Sequence, residues 1–250
     1  MVSALIFAGG VGTRMKSNDI PKQFLTVDGK SIIIRTLEHF SNHKLIDNIV
    51  VVCLESWIDE LKDEISKYNI KKVVGILPGG ESGYQSIHKG VVRISETLKD
   101  DDIVLICDGV RPVLSEELIT QCIEDTKIYG SAVPVTPSID SVLYSEDGEF
   151  CEHNIARTNI YVTQAPQGYT MKGIMDAHEE AEKRGIDAVS SADLMIELGL
   201  RVHIFQGIRE NIKVTTPEDL KALRATSYYK HFQKFASEEI NSIVGDKKNE

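Results

Sequence analysis

Near the start of the chain the apolar run Ala4 to Phe7 opens into Ala8-Gly9-Gly10-Val11-Gly12-Thr13-Arg14-Met15, and Pro21-Lys22-Gln23 lies a few residues on. Glycines let backbone N–H groups approach a phosphate closely, while Arg14 and Lys22 bring the positive charge that peptide dipoles alone do not supply. The combination suits a triphosphate. The competing reading is a tight strand-to-helix turn with an exposed arginine, which α/β folds use often. Two other phosphate loops are excluded: a dinucleotide fingerprint needs a third glycine where Met15 stands, and a Walker loop needs Gly-Lys followed by Ser or Thr, which is absent.

Three further strings hold candidate binding groups. Gly79-Gly80-Glu81-Ser82-Gly83-Tyr84-Gln85-Ser86 follows a strand and opens a helix, so its backbone and the Ser86 hydroxyl could hold a base or ribose edge, or form a loop with an ordinary cap. Cys107-Asp108-Gly109-Val110-Arg111-Pro112 puts a carboxylate at the carboxyl end of a buried strand, where open sheets bind ligands. Asp108 is therefore a candidate for Mg²⁺ or a ligand hydroxyl, the alternative being an aspartate satisfied by helix-terminus N–H groups. Arg111 reads equally as an ion-pair partner or a ligand contact. Arg157 precedes Gln164-Ala165-Pro166-Gln167, and Lys213 lies in Glu210-Asn211-Ile212-Lys213-Val214-Thr215-Thr216-Pro217. Taken singly, these two are ordinary exposed cations. No Ser/His/Asp or Cys/His nucleophile set stands out, and the seven histidines read as structural or surface residues.

The elements that must position these groups follow from the hydrophobic pattern. With 250 residues, 42% hydrophobic and 26% charged, the chain can bury a core without disulfides. Its net charge of −10 and lack of a basic stripe exclude nucleic acid as a partner. Cys53, Cys107, Cys122 and Cys151 show no CxxC spacing and read as reduced packing residues. The first residues lack a basic leader and no apolar run reaches the roughly 18 residues of a membrane span, so the expectation is a cytoplasmic protein without membrane contact.

Strands at Ala4 to Phe7, Asp47 to Leu54 and Ile103 to Cys107 alternate with helices at Ser31 to Phe40 and Ser86 to Leu98. Runs apolar on both faces and separated by helices predict a doubly wound α/β domain with a mostly parallel sheet. Further helices are expected at Ser115 to Tyr129, Lys172 to Lys183, Ser191 to Leu198 and from Pro217 onward, with Thr216 as N-cap. The segment 138–162 breaks the pattern. Strands at Ser141 to Tyr144 and Ile155 to Val162 joined by a turn at Ser145 to Glu149 predict a β-arm, which cannot bury both its faces alone and so suggests a homodimer. The expected organisation is one domain over 1–235, with 236–250 a frayed tail.

Taken together, AGGVGTRM, PKQF, GGESGYQS, DGVRP, QAPQ and ENIKVTTPEDL resemble, in order and spacing, the 2-C-methyl-D-erythritol 4-phosphate cytidylyltransferase family, and most of all its ribitol-5-phosphate cytidylyltransferase branch. The resemblance covers residues 1 to about 225. It implies a Rossmann-like sheet with the arm, and transfer of CMP from CTP to a polyol phosphate with Mg²⁺ or another divalent cation present. It also implies that Arg14 and Lys22 steady the triphosphate, and that Arg157 and Lys213 position the acceptor's phosphate, Arg157 from an arm reaching the partner's site. Phe7, Ala8, Gly9 and Gly10, with Gly80, Glu81, Ser82, Gly83 and Ser86, match the CTP-binding segments. Asp108 matches the aspartate on the floor of the site, and Ser141 stands in a threonine position beside the acceptor. Departures at CDGVRP, Gly83 and Ser190-Ser191 border the acceptor pocket. They disfavour methylerythritol phosphate and favour another polyol phosphate: the expectation is ribitol 5-phosphate, for cell-envelope polymers, with methylerythritol, glycerol, arabinitol or mannitol phosphate as the alternatives.

Overall fold

In the computed structural model, which describes residues 1–10, 15 and 20–228, the apolar runs become strands buried on both faces. In chain order the elements are β1 (Val2–Ala8), β2 (Thr26–Val27), β3 (Lys30–Ser31), α1 (Ile32–Asn42), β4 (Asn48–Cys53), α2 (Ile58–Lys67), β5 (Val73–Pro78), α3 (Gly83–Ser95) and β6 (Ile103–Asp108). There follow α4 (Glu116–Tyr129), β7 (Ser131–Pro137), β8 (Leu143–Tyr144), β9 (His153–Asn154), β10 (Tyr161–Thr163), β11 (Gln167–Thr170), α5 (Met171–Arg184), α6 (Ser191–Glu197), β12 (Ile204–Gln206) and a last helix, α7, over 217–228.

Parallel pairing runs β5-β4-β1-β6, with Leu5 opposite Val50 on one side and Ile106 on the other. Beyond β6 the sheet continues antiparallel through β11 to β7; β10 also pairs antiparallel with β7, and β12 joins β7 in parallel. Alternation along β1 explains both layers. Ala4 and Ile6 pack with Ile33 and Leu37 of α1 and Ile119 of α4, whereas Leu5 packs with Ile87 and Val91 of α3 and Ile174 of α5. A Cβ on Gly90 of α3 would fall 2.2 Å from Leu5 Cδ1, so that helix needs glycine to lie this close to β1. The mostly parallel, doubly wound α/β fold expected from the sequence is the fold observed.

Hydroxyl caps set the helix starts. Ser31, Ser82, Ser115, Thr170 and Ser190 each accept from the N–H three residues on. For α7, Thr216 Oγ1 accepts from Asp219 N at 3.4 Å while Asp219 Oδ2 accepts from Thr216 N at 2.8 Å, a reciprocal box behind Pro217. Three cysteines, Cys53, Cys107 and Cys122, are buried and unpaired, and Cys151 is exposed.

The arm differs from expectation. Only Leu143–Tyr144 and His153–Asn154 pair there, and Ser141 and Val142 are not strand. Of the predicted strand 155–162 only Tyr161 and Val162 are in a strand, where β10 finds β7; Arg157–Asn159 forms a 3₁₀ turn instead. The cause is the want of a neighbouring strand: a backbone with no ladder partner closes local turns. The turn near 145–149 is present, closed by Asp147 Oδ1, which accepts from the Glu149 and Phe150 N–H groups at 2.9 Å each. The predicted tail at 236–250 lies outside the described residues.

Between α3 and α5 the rings of His88 and His178 lie 5.0 Å apart, with Tyr84 also 5.0 Å from His178. Neither ring nitrogen of the buried His178 has a hydrogen-bond partner among the described residues. Burial, then the charge of His88, pushes His178 from its ordinary 6.5 down to about 3. The unfolded chain therefore takes up this proton first. Stability should be complete above pH 6.5 and fall below it by up to about 1.4 kcal/mol per pH unit. Urea midpoints at pH 7.5 and 5.0 should differ less in His178→Leu than in the parent, and equal differences would contradict this.

Candidate active site

β1 pairs with β4 on one side and β6 on the other, so successive chain crossings part at its carboxyl end. Such switch points leave the crevice in which open α/β sheets bind ligands. Phe7 lies opposite Asp108 in the β1–β6 ladder. Beside them is a cleft of about 260 Å³ whose lining includes Phe7, Asp108, Arg111, Gln164, Ser190 and Lys213.

Asp108 is the electrostatic centre of that cleft. Arg111 Nε donates to its Oδ2 at 2.9 Å and Lys213 Nζ stands 2.6 Å from its Oδ1. Burial alone would push the Asp108 carboxyl up, but Arg111 and Lys213 outweigh it and hold the group below the usual carboxylate range. The floor is thus one carboxylate between two cations. Arg111 is as buried as Asp108, whereas the Lys213 side chain is 44% exposed, so its ammonium can meet an incoming anion. Asp193 also lines the cleft, so its two carboxylates balance its two cations, and of those cations only the Lys213 ammonium is open to solvent.

The glycine loops meet beside this floor. Gly80 N donates to Ser86 Oγ at 2.9 Å, and Ser86 Oγ donates to Ser82 O at 2.9 Å. The buried Ser86 hydroxyl thus braces the loop from within, where the sequence allowed it to face a ligand. A Cβ on Gly9 would lie 3.0 Å from Ser86 Oγ, so glycine there lets the two loops touch. The buried Gln23 side chain donates to Ala8 O at 2.6 Å and to Gly10 O at 3.3 Å, pinning the Lys22–Phe24 turn against the end of β1. That bond sets the half-buried Lys22 next to the glycine turn. Gly10, Glu81 and Gly83 are exposed at the rim, while Ala8 is buried beneath it.

Other predicted residues stand elsewhere. Ser141 and Arg157 are exposed on the arm, and Arg157 Nη1 donates to Ile139 O at 3.2 Å; neither lines the cleft. Arg14 lies outside the described residues. Gln23, Gln164 and Asn211 sit inside the quoted strings, yet their types gave no reason to assign them roles; their bonds become visible only in the fold.

As a metal ligand Asp108 does not fit. Both its oxygens are engaged by cations, and among the described residues no cluster of three His, Cys, Asp or Glu could hold a metal ion. Among the described residues no helix is long and apolar enough to cross a membrane.

The family model described as IspD, 2-C-methyl-D-erythritol 4-phosphate cytidylyltransferase, matches residues 2–229. The chain belongs to this family. It is a cytidylyltransferase, and hence a nucleotidyltransferase that uses CTP. A ribitol-5-phosphate cytidylyltransferase of Vibrio parahaemolyticus is 41% identical over 89% of this chain and 94% of that protein. A 2-C-methyl-D-erythritol 4-phosphate cytidylyltransferase of Clostridium botulinum is 37% identical over 87% and 93%. Among solved structures, 4-diphosphocytidyl-2C-methyl-D-erythritol synthase from Anaerococcus prevotii superposes with a TM-score of 0.78 at 27% identity, covering 91% of this chain and 96% of that one. In this cytidylyltransferase the departures noted in the sequence divide, the serine pair lying at the cleft and Gly83 outside its lining. Ser190 and Ser191 line the cleft, and nothing lies within 4 Å of where a Gly83 Cβ would sit.

Proposed function

We propose that the acceptor is D-ribitol 5-phosphate, so that the products are CDP-ribitol and pyrophosphate for cell-envelope polymer synthesis in the cytoplasm. The observation that carries this choice is the 41% identity to a ribitol-5-phosphate cytidylyltransferase over nearly the full length of both chains. The serines at 190 and 191 support it, because they depart from the pattern the resemblance implies and line the cleft.

The chemistry asks for alignment and charge. A phosphate oxygen of the acceptor attacks the α-phosphorus of CTP; the new P–O bond forms as the bond to the β-phosphate bridge breaks, and pyrophosphate leaves with the electron pair. A phosphomonoester is already mostly dianionic at neutral pH, its second pKa being about 6, so no general base is needed. Lys22 and Arg14 have the role of stabilising charge growing on the α-phosphoryl oxygens and the leaving group. Lys213 takes the acceptor phosphate, and Asp108 accepts from an acceptor hydroxyl while keeping Lys213 and Arg111 aligned. A divalent cation held mainly by the triphosphate would, when bound, add to this charge stabilisation.

The arm completes the site in a homodimer. Leu143 and Phe150 are 63% and 73% exposed on it, and Arg157 cannot serve its own cleft from where it lies. Light scattering should give a dimer at assay concentration, and a monomer would remove Arg157 from this scheme.

The function is tested by pyrophosphate release with CTP, Mg²⁺ and a panel of polyol phosphates. Release with ribitol 5-phosphate supports the assignment. Release with methylerythritol phosphate alone would move the enzyme to isoprenoid synthesis, and silence across the panel would leave only the CTP half.

A further inference from the structure

We infer that Asn211 is a positioning residue that sets Lys213 and Arg111 for the acceptor, an inference that rests on the polyol-phosphate reading above. The stretch 207–214 carries Lys213 but has no helix or strand of its own, yet it must keep an ammonium 2.6 Å from Asp108. Its ends are tied down by Gly207 N, which donates to Val135 O at 2.8 Å, and Val214 N, which donates to Val110 O at 2.9 Å. The middle is held by Asn211, which is 2% exposed.

Three chain segments converge on that residue. Asn211 Nδ2 donates to Ala165 O at 2.6 Å, joining the break between β10 and β11. The Asn211 carbonyl accepts from Arg111 Nη1 at 2.9 Å and from Gln164 Nε2 at 3.4 Å. The same Gln164 nitrogen donates to Ile208 O at 2.8 Å, and Gly207 lies so flat on this amide that a Cβ there would fall 2.1 Å from Gln164 Oε1. Arg111 therefore bridges Asp108 and Asn211, and Lys213 follows Asn211 by two residues. Asn211 is not part of the cleft lining, so it acts through these neighbours and not by touching the acceptor.

Only a side-chain amide meets both demands at once. Nδ2 must donate to the Ala165 carbonyl, while Oδ1 faces Arg111 Nη1 at 3.5 Å. An aspartate would set an oxygen against the Ala165 carbonyl and compete with Asp108 for Arg111. Alanine would leave the buried Ala165 carbonyl without its donor.

The test compares Asn211→Ala and Asn211→Asp with the parent by steady-state kinetics for CTP and ribitol 5-phosphate. A second readout is the rate at which an acid anhydride acylates Lys213 relative to the exposed Lys62. Misplacement by about 1 Å can cost up to about 10²-fold, so the acceptor KM should rise about 10-fold or more with the CTP KM nearly unchanged. Relative acylation of Lys213 should also rise in both variants. Equal shifts in both KM values, or no shift, would overturn the inference. Asn211→Asp keeps the side-chain volume and carries the test if the alanine variant does not fold. If the parent turns over no polyol phosphate, the functional reading fails on its own; Lys213 acylation then decides for Asn211, a rise supporting the role and an unchanged rate overturning it.

Discussion

Asp108→Ala is expected to lower the unfolding free energy by about 3–5 kcal/mol, the usual cost of stripping one partner from a buried ion pair. The reason is Arg111, which is 7% exposed and would keep its charge with only the Asn211 oxygens for company. Lys213 is half open to water and would rehydrate, so it contributes little to the loss. The pH dependence has a definite sign. Because the two cations depress the Asp108 carboxyl, its stabilisation is present above the unfolded value of about 4 and is lost as pH falls through the lower folded one. Urea midpoints between pH 7 and 3 should show that acid limb in the parent and less of it in Asp108→Ala. The double variant Asp108→Leu/Arg111→Met should recover stability but not turnover, since it removes the uncompensated charge along with the floor of the site. An Asp108→Ala protein with the parent's midpoint would contradict the buried network.

Lys22→Ala should reduce kcat by about 10² to 10³, as expected when one preorganised donor to a developing charge is removed. Its stability should fall by less than in Asp108→Ala, because Lys22 is half-buried and the Gln23 side chain still holds the turn that carries it. The two variants should thus separate the proposed roles, Asp108→Ala lowering stability and acceptor binding and Lys22→Ala the transfer step. An unchanged kcat in Lys22→Ala would take that lysine out of the chemistry.

The parts of the fold legible in the sequence were those written by burial on both faces and by hydroxyl caps. β1, β4 and β6 are apolar but for one residue each, Ser3, Asn48 and Asp108, and Thr216 before Pro217 marks the start of α7. α2 is not flagged because Ile58–Lys67 buries only Leu61 and reads as a charged surface stretch. β11 and β12 are too short, at four and three residues, to show a period. In the arm, alternating apolar residues imply strands, but strand needs a ladder partner: Leu143–Tyr144 finds a two-residue one at His153–Asn154, Tyr161–Thr163 finds one at β7, and the rest of the predicted strands has none among the described residues. The site divides in the same way. Motifs single out Lys22, Asp108 and Lys213 as candidates because each carries a charge. Gln23, Gln164 and Asn211 work through amide bonds to main-chain atoms far away in sequence, and Ser86 turns its hydroxyl inward to Gly80 and Ser82. Such partners are set by the fold, and no local spacing encodes them.

The choice of acceptor is tested most directly by competition. Ribitol 5-phosphate and 2-C-methyl-D-erythritol 4-phosphate, at equal concentration with limiting CTP, compete for one enzyme, and the mass of each CDP product reports its share. A site built to hydrogen-bond one polyol's hydroxyls should reject the other strongly, so CDP-ribitol is expected to dominate by a factor on the order of 10² or more. An excess of the methylerythritol product would contradict the assignment.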